Sequence, residues 1–206
     1  MDPDDLQNLV EVTPSHALVF HTEQLTAAQF DYCIRKEPQA ALMFDGPSES
    51  LSVSQFEFCG RLYPNFALSH SNRLSPELLD FCCEREPSMV LRKFGAETPG
   101  LALTKTQLAI CARAAPLAAL EFAGDELDET LFKECADAEP WGAVTWCADR
   151  LTADELVRHT KGRDAELNEL LAYPSARPLI FKLMPLFGRL DPAVEKVVAH
   201  AIAAGM

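Results

Sequence analysis

Apolar positions along this chain recur as a short compound unit rather than as one continuous helical or strand-like period. A Leu opens the unit and Ser, Thr or Asp follows; Phe or Leu comes at +5, Cys at +8, Pro at +13, and an Ala-Leu-like pair at +16 and +17. The opening residues are Leu25, Leu51, Leu74, Leu103, Leu127 and Leu151, at spacings of 26, 23, 29, 24 and 24 residues. Position +8 is Cys33, Cys59, Cys82, Cys111, Cys135 and then His159, and position +13 is Pro38, Pro64, Pro87, Pro116, Pro140 and then Asp164. A degenerate copy precedes these, with Leu6, Pro14 and Ala17-Leu18 in register. Tandem repetition in this size range predicts a solenoid, because such a unit cannot bury its apolar face alone.

The unit from Leu103 to Glu126 shows what the pattern predicts. Thr104 and Gln107 have the spacing of a capping box, as do Thr26/Gln29, Ser52/Gln55 and Thr152/Glu155. In the third unit Ser75 precedes Pro76, which suits the first position of a helix. Leu108, Cys111 and Ala112 form a one-sided stripe on helix A. Pro116 cannot continue that helix but can begin helix B, where Ala119, Leu120 and Phe122 are expected to face back.

The expected fold is therefore all-α, a solenoid of about seven ~24-residue two-helix repeats in a single domain. Residues 1–24 are the degenerate first repeat, 25–172 the six clear ones and 173–206 a C-terminal helical cap. In the cap, Asp191-Pro192 opens a helix with Val194, Val197, Val198, Ala201 and Ile202 on one face. The same face is the alternative candidate for a homodimer surface. Two insertions after helix B, 45–50 and 95–100, are polar and turn-rich and are expected to be loops.

A unit of this length, with Leu-(Ser/Thr)-x-x-Gln-(Leu/Phe) leading to a Pro- or Asp-marked turn, resembles the leucine-rich repeat variant family over roughly residues 1–170. That resemblance implies a right-handed superhelix of armadillo/HEAT-like type. The family's Val-Arg signature is replaced here by Ala-Leu, and no N-terminal cysteine cluster is present, Cys33 being the first. No iron–sulfur centre is carried over.

Composition narrows the function. A net charge of −13 repels phosphate backbones and anionic lipid heads, so direct nucleic-acid and membrane binding are disfavoured and a basic protein partner is favoured. The same acidity also serves solubility. No apolar run reaches membrane-spanning length, the start Met1-Asp2-Pro3-Asp4-Asp5 is unlike a signal peptide, and seven cysteines without one suggest the cytoplasm.

No catalytic or cofactor motif is present: no P-loop, nucleophile elbow, dinucleotide fingerprint or paired-histidine helix. An enzyme is not expected, nor a bound metal or cofactor. The phased cysteines read as small apolar residues at the seam between repeats, with a thiol ladder for metal or redox work as the alternative. Cys147 is off-phase and would be reactive only if exposed, and His159 is expected to pack in the Cys slot.

Interaction residues are sought where repeats differ. The acidic run holds Glu121, Asp125, Glu126, Asp128, Glu129, Glu134, Asp137 and Glu139 around one base, Lys133. Asp128 and Glu129 suit a helix N-terminus, and the others add field beyond capping. Trp141 stands at +14, where other repeats carry Gln39, Asn65, Ser88, Leu117 and Ala165, so it is expected to face solvent beside Leu117. The alternative folds it onto a neighbouring repeat. Trp146 shares +19 with Phe44 and Phe122 and is expected in the core. The patch of Trp141, Leu117, Glu121, Asp125, Glu126, Glu134, Asp137 and Glu139 then suits docking of a basic protein. Two other readings are an acidic nucleic-acid mimic that inhibits a DNA- or RNA-binding protein, and a thiol-based metal or redox protein.

Overall fold

Proline at +13 decides where each pair of helices divides. In the computed structural model, which describes residues 1–95 and 102–204, the chain is all-α, with no strand among the described residues. Two compact units make it up, Met1–Ile110 and Cys111–Met206. The first holds α1 (Pro3–Val12), α2 (Pro14–His21), α3 (Ala27–Lys36), α4 (Pro38–Met43), α5 (Asp45–Ser50), α6 (Val53–Leu62), α7 (Pro64–Ala67), α8 (Pro76–Arg85) and α9 (Pro87–Phe94). The division falls within α10 (Lys105–Ala114). The second unit continues with α11 (Pro116–Ala123), α12 (Glu129–Ala138), α13 (Pro140–Cys147), α14 (Ala153–Thr160), α15 (Asp164–Leu171), α16 (Arg177–Leu183) and α17 (Pro192–Ala203). No described helix is long and apolar enough to cross a membrane.

Six times a single residue joins helix A to helix B: Thr13, Glu37, Tyr63, Glu86, Ala115 and Glu139. Each has φ between −141° and −130° and ψ between 50° and 69°. Its N–H donates to the carbonyl at +8 at 2.8–2.9 Å, closing helix A, and its carbonyl accepts from the N–H at +16 at 3.0–3.2 Å, opening helix B. The proline that follows has no N–H to satisfy, so its place at the first helical position costs no hydrogen bond.

The predicted caps form. Thr26/Gln29, Ser52/Gln55 and Thr152/Glu155 make reciprocal capping boxes, and Thr104 and Gln107 exchange the same two bonds at 2.9 and 3.2 Å. Ser75 caps the Leu78 N–H at 3.1 Å ahead of Pro76. The cap glutamines also reach the preceding repeat: Gln29 donates to Gln7 at 2.8 Å, Gln55 to Asp31 at 3.4 Å and Gln107 to Asp80 at 2.7 Å. One amide thus caps the start of its own helix and ties it to the preceding repeat.

The pairs at +16 and +17 are the core: Ala17-Leu18, Ala41-Leu42, Ala67-Leu68, Val90-Leu91, Ala119-Leu120 and Ala143-Val144 are all buried. Each Leu or Val there contributes about 1.5–3 kcal/mol by leaving water. All seven cysteines are buried too. Burial pushes the thiols of Cys33, Cys59 and Cys135 up to about 11 and that of Cys82 up to about 12. The Cys147 thiol is also raised by burial, and it donates to the Leu120 carbonyl at 3.2 Å rather than facing solvent.

Two arginines immediately before an opening Leu do the same work in the two units. Arg73 donates to the carbonyls of Ser48 and Leu51 and lies over the Phe56 ring, 4.7 Å from its centroid. Arg150 donates to the Gly124 carbonyl and lies 4.1 Å over Phe132. Each guanidinium satisfies carbonyls where one repeat passes into the next while covering the +5 aromatic ring of the repeat it closes. Gly124 is confined by close neighbours: a Cβ there would lie 2.5 Å from Cys147 Sγ and 2.9 Å from the Leu120 carbonyl oxygen.

Three expectations need correction or limitation. The insertion at 45–50 is not a loop but the short helix α5, held by Ser48 Oγ donating to the Asp45 carbonyl at 3.0 Å with Pro47 and Ser48 buried. Of the second insertion, residues 96–100 lie outside the described residues. In α17 the buried face is Val194, Val198 and Ala201, narrower than the sequence stripe, and Ile202 is exposed.

Candidate functional site

The eight sequence-derived site residues all belong to the second unit, and they do not form one patch of a single character. Glu121, Asp125, Glu126, Glu134 and Asp137 are exposed, while Glu139 is half-buried as the link between α12 and α13. Leu117 is 47% exposed and reaches the next helix pair: a Cβ on Gly142, beside Trp141, would lie 2.7 Å from its Cδ1. Glu134 is spent on Arg113, 2.8 Å away, which raises the pKa of that guanidinium. Glu129 likewise pairs with Arg150 at 3.5 Å, and Asp128 caps α12 through the Leu131 N–H at 2.9 Å.

Trp146, expected in the core, is the more exposed of the two tryptophans. Trp141 is half-buried, whereas Trp146 is 53% exposed. Helix geometry explains the difference at +19. The buried stripe of helix B runs through +16, +17 and +20, as at Ala119, Leu120 and Ala123. At about 100° per residue, +19 lies about 60° outside the +16 edge of that stripe. Phe44, at the same repeat position, is exposed as well.

Trp146 borders a cleft of about 580 Å³ with Asp149, Leu170, Tyr173, Pro178 and Leu179 among its walls. Tyr173 is 65% exposed at its edge. The walls of the cleft are drawn from α13, α15, the 3₁₀ turn Pro174–Ala176 and the start of α16. On one side, Lys182 Nζ donates to the carbonyls of Ala148 and Asp149 at 3.2 and 3.1 Å and pairs with the Asp149 carboxylate at 3.2 Å.

Trp141 borders a different cleft, of about 440 Å³, lined by Asp137, Pro140, Trp141, Arg158, His159, Lys161 and Arg163. Its basic members come from the one repeat in which the Cys and Pro positions are changed. With Asp164 in place of proline, α14 ends at Thr160, two residues short of the length that α12 has. The chain then turns through Gly162, whose φ of +71° suits glycine. Lys161, Gly162 and Arg163 replace the single-residue link, and Arg158, Lys161 and Arg163 are exposed. Arg163 pairs with Glu166 at 2.7 Å; among the described residues no ion pair holds Arg158 or Lys161.

His159 is 8% exposed, as a packing residue in the Cys slot should be, yet its Nε2 has no hydrogen-bond partner. A buried polar atom in that state costs about 1–3 kcal/mol. Burial and the adjacent Arg158 lower its pKa, with Glu155 and Asp137 acting the other way. The segment Arg158-His159-Thr160-Lys161-Gly162-Arg163 is a basic run in an acidic chain. That run was the available sequence signal; reading His159 alone as a cysteine substitute passes over it.

No protein-family model, curated protein or solved structure matches this chain.

Proposed function

We propose that the chain is a non-enzymatic protein-binding module, a right-handed α-solenoid of about seven ~24-residue repeats capped by residues 173–206, of leucine-rich repeat variant-like or armadillo/HEAT-like type. The recurring two-helix design with its one-residue link supports the architecture, and cytoplasmic residence is part of the same reading. The partner is a protein segment carrying an apolar anchor and basic residues. The observation that carries this is the exposed pair Trp146 and Tyr173 at the edge of a largely apolar cleft. An exposed Trp beside an apolar concavity is the kind of residue that dominates interface energies. Glu121, Asp125 and Glu126 belong to the same second unit, are exposed and form no ion pair among the described residues, so their charge is available to a basic segment. The anchor therefore moves from Trp141 to Trp146, while these acids keep the role their charge pattern implies.

The two competing readings receive less support. Nucleic-acid mimicry needs free carboxylates, and in the run 121–139 Glu129 and Glu134 are paired with arginines while Asp128 is a cap. Thiol chemistry needs accessible thiolates, and the phased cysteines are buried, the thiols of Cys33, Cys59, Cys82 and Cys135 with raised pKa values.

Affinity capture from native lysate tests the proposal with three baits: the parent chain, Trp146→Ala, and Glu121→Gln/Asp125→Asn/Glu126→Gln. The expected result is one protein retained by the parent and lost with Trp146→Ala. The triple variant should retain less of it, with a weaker dependence on salt. Identical recovery on all three baits would sink the proposal.

A further inference from the structure

We propose that the cleft lined by Trp141, Asp137, Arg158, His159, Lys161 and Arg163 is a binding site for a nucleoside phosphate, independent of the protein-binding surface. Three kinds of group converge there, and each answers a different part of such a ligand. Arg158, Lys161 and Arg163 line the cleft with one carboxylate, Asp137; Arg163 is paired with Glu166, which leaves Arg158 and Lys161 as the uncommitted cations in a chain whose net charge is −13. Local positive charge in an acidic protein is a specific departure, and guanidinium and ammonium donors are the usual ligands of phosphate oxygens. Neither Arg158 nor Lys161 is consumed by an ion pair among the described residues.

Trp141, half-buried in the wall, offers an indole on which a planar base can stack. Asp137 is exposed in the same lining and can only accept hydrogen bonds when ionised, so it suits a ribose hydroxyl or an exocyclic amine rather than a phosphate. The independent observation is His159: it is buried, it lines the cleft, and its Nε2 has no partner in the protein. A buried polar side chain left without a partner in a cleft lining is the kind of group that a bound ligand can satisfy. A volume of about 440 Å³ is within the range of small-molecule sites.

The local fold sets this junction apart from the one beside it. Where the link is Glu139-Pro140, the chain passes from helix to helix in one residue, and the last turn of α12 carries no basic residue. Here Gly162 turns the chain with Lys161 and Arg163 on either side, next to Arg158 on the last turn of α14. The site is made by the departure from the repeat.

Titration of the full chain with adenosine 5′-monophosphate, adenosine and inorganic phosphate, followed by calorimetry and tryptophan emission, tests this. The nucleotide is expected to bind saturably and to quench Trp141, with adenosine and phosphate each weaker by about tenfold or more. Arg158→Ala and Lys161→Ala alter exposed side chains, so folding is retained. Each should weaken nucleotide binding by about tenfold, whereas Lys196→Ala should leave it unchanged. Trp141→Phe should abolish the quench, separating it from any signal of Trp146. Absence of saturable binding, binding unaffected by both cation substitutions, or phosphate binding as tight as the nucleotide would each overturn the assignment.

Discussion

Two junctions in the second unit do the same topological task by different means. Between α12 and α13 the chain uses Glu139 alone, its N–H bonded to Cys135 and its carbonyl to Ala143, with Pro140 next. Between α14 and α15 it uses Lys161, Gly162 and Arg163, with the Gly162 turn at positive φ and the Arg163 carbonyl accepting from Leu167 at 2.8 Å. The first junction satisfies its backbone groups within the helix pair and exposes little chemistry. The second leaves cations at the surface and a buried imidazole nitrogen without a partner. The regular parts of the repeat hold the fold, and its irregular copy holds the groups with unspent chemistry.

The comparison can be broken most strongly at the regular side. Leu120→Ala, at a fully buried +17 position, is expected to cost about 2–5 kcal/mol. Half-buried Leu170→Ala in α15 should cost clearly less, and urea unfolding measures both. If the two losses are equal, burial at +17 is not what distinguishes the core. Gly162→Ala should cost about 1–2 kcal/mol because it puts a side chain at φ +71°, whereas Gly46, with no atom within 4 Å of an added Cβ and no positive φ, should accept alanine without loss. Thermal unfolding of the pair separates strain from simple glycine replacement.

Thr152→Ala tests the cap of α14 and should cost about 1 kcal/mol. It should also raise the Glu155 pKa, since the hydrogen bonds from Thr152 are what hold that carboxyl below its usual range. A carboxyl pKa unchanged by NMR titration would remove the capping box as the cause.

The smallest change is expected with pH. His159 titrates below its ordinary 6.5 in the folded chain, so the unfolded state binds the extra proton first. The stability it contributes is complete above about pH 6.5 and is lost as pH falls through the folded-state value. Unfolding in urea at pH 7.5 and 5.5 should show this decline, and His159→Asn should reduce it. An undiminished decline in the variant would assign the effect to other groups.

Much of the fold is legible in the sequence because it is local. Thr26, Ser52, Thr104 and Thr152 act on amides three residues away, and proline acts on the turn before it, so both can be read by spacing. The arginine device escapes such a reading. Arg73 and Arg150 precede their Leu by one residue, but their targets, Ser48 and Gly124, lie 25 and 26 residues back. Spacing says less about the site. Repeat position assigns Trp146 to the core, yet a stripe of +16, +17 and +20 turns +19 outward, a matter of which face meets the neighbouring helices. The polarity of 45–50 suggests a turn, while burial of Pro47 and Ser48 stabilises a helix instead.

The division of the repeats into two helices at the proline, the helix caps and the packing role of the cysteines follow from the order of residues along the chain. These features rest on interactions over a few positions, where spacing and chemistry suffice. Three outcomes do not: which tryptophan is exposed, the meeting of Asp137 and Trp141 with the 158–163 run in one cleft, and the unpartnered Nε2 of His159. Those depend on helices from different repeats closing over, or failing to close over, the same polar groups.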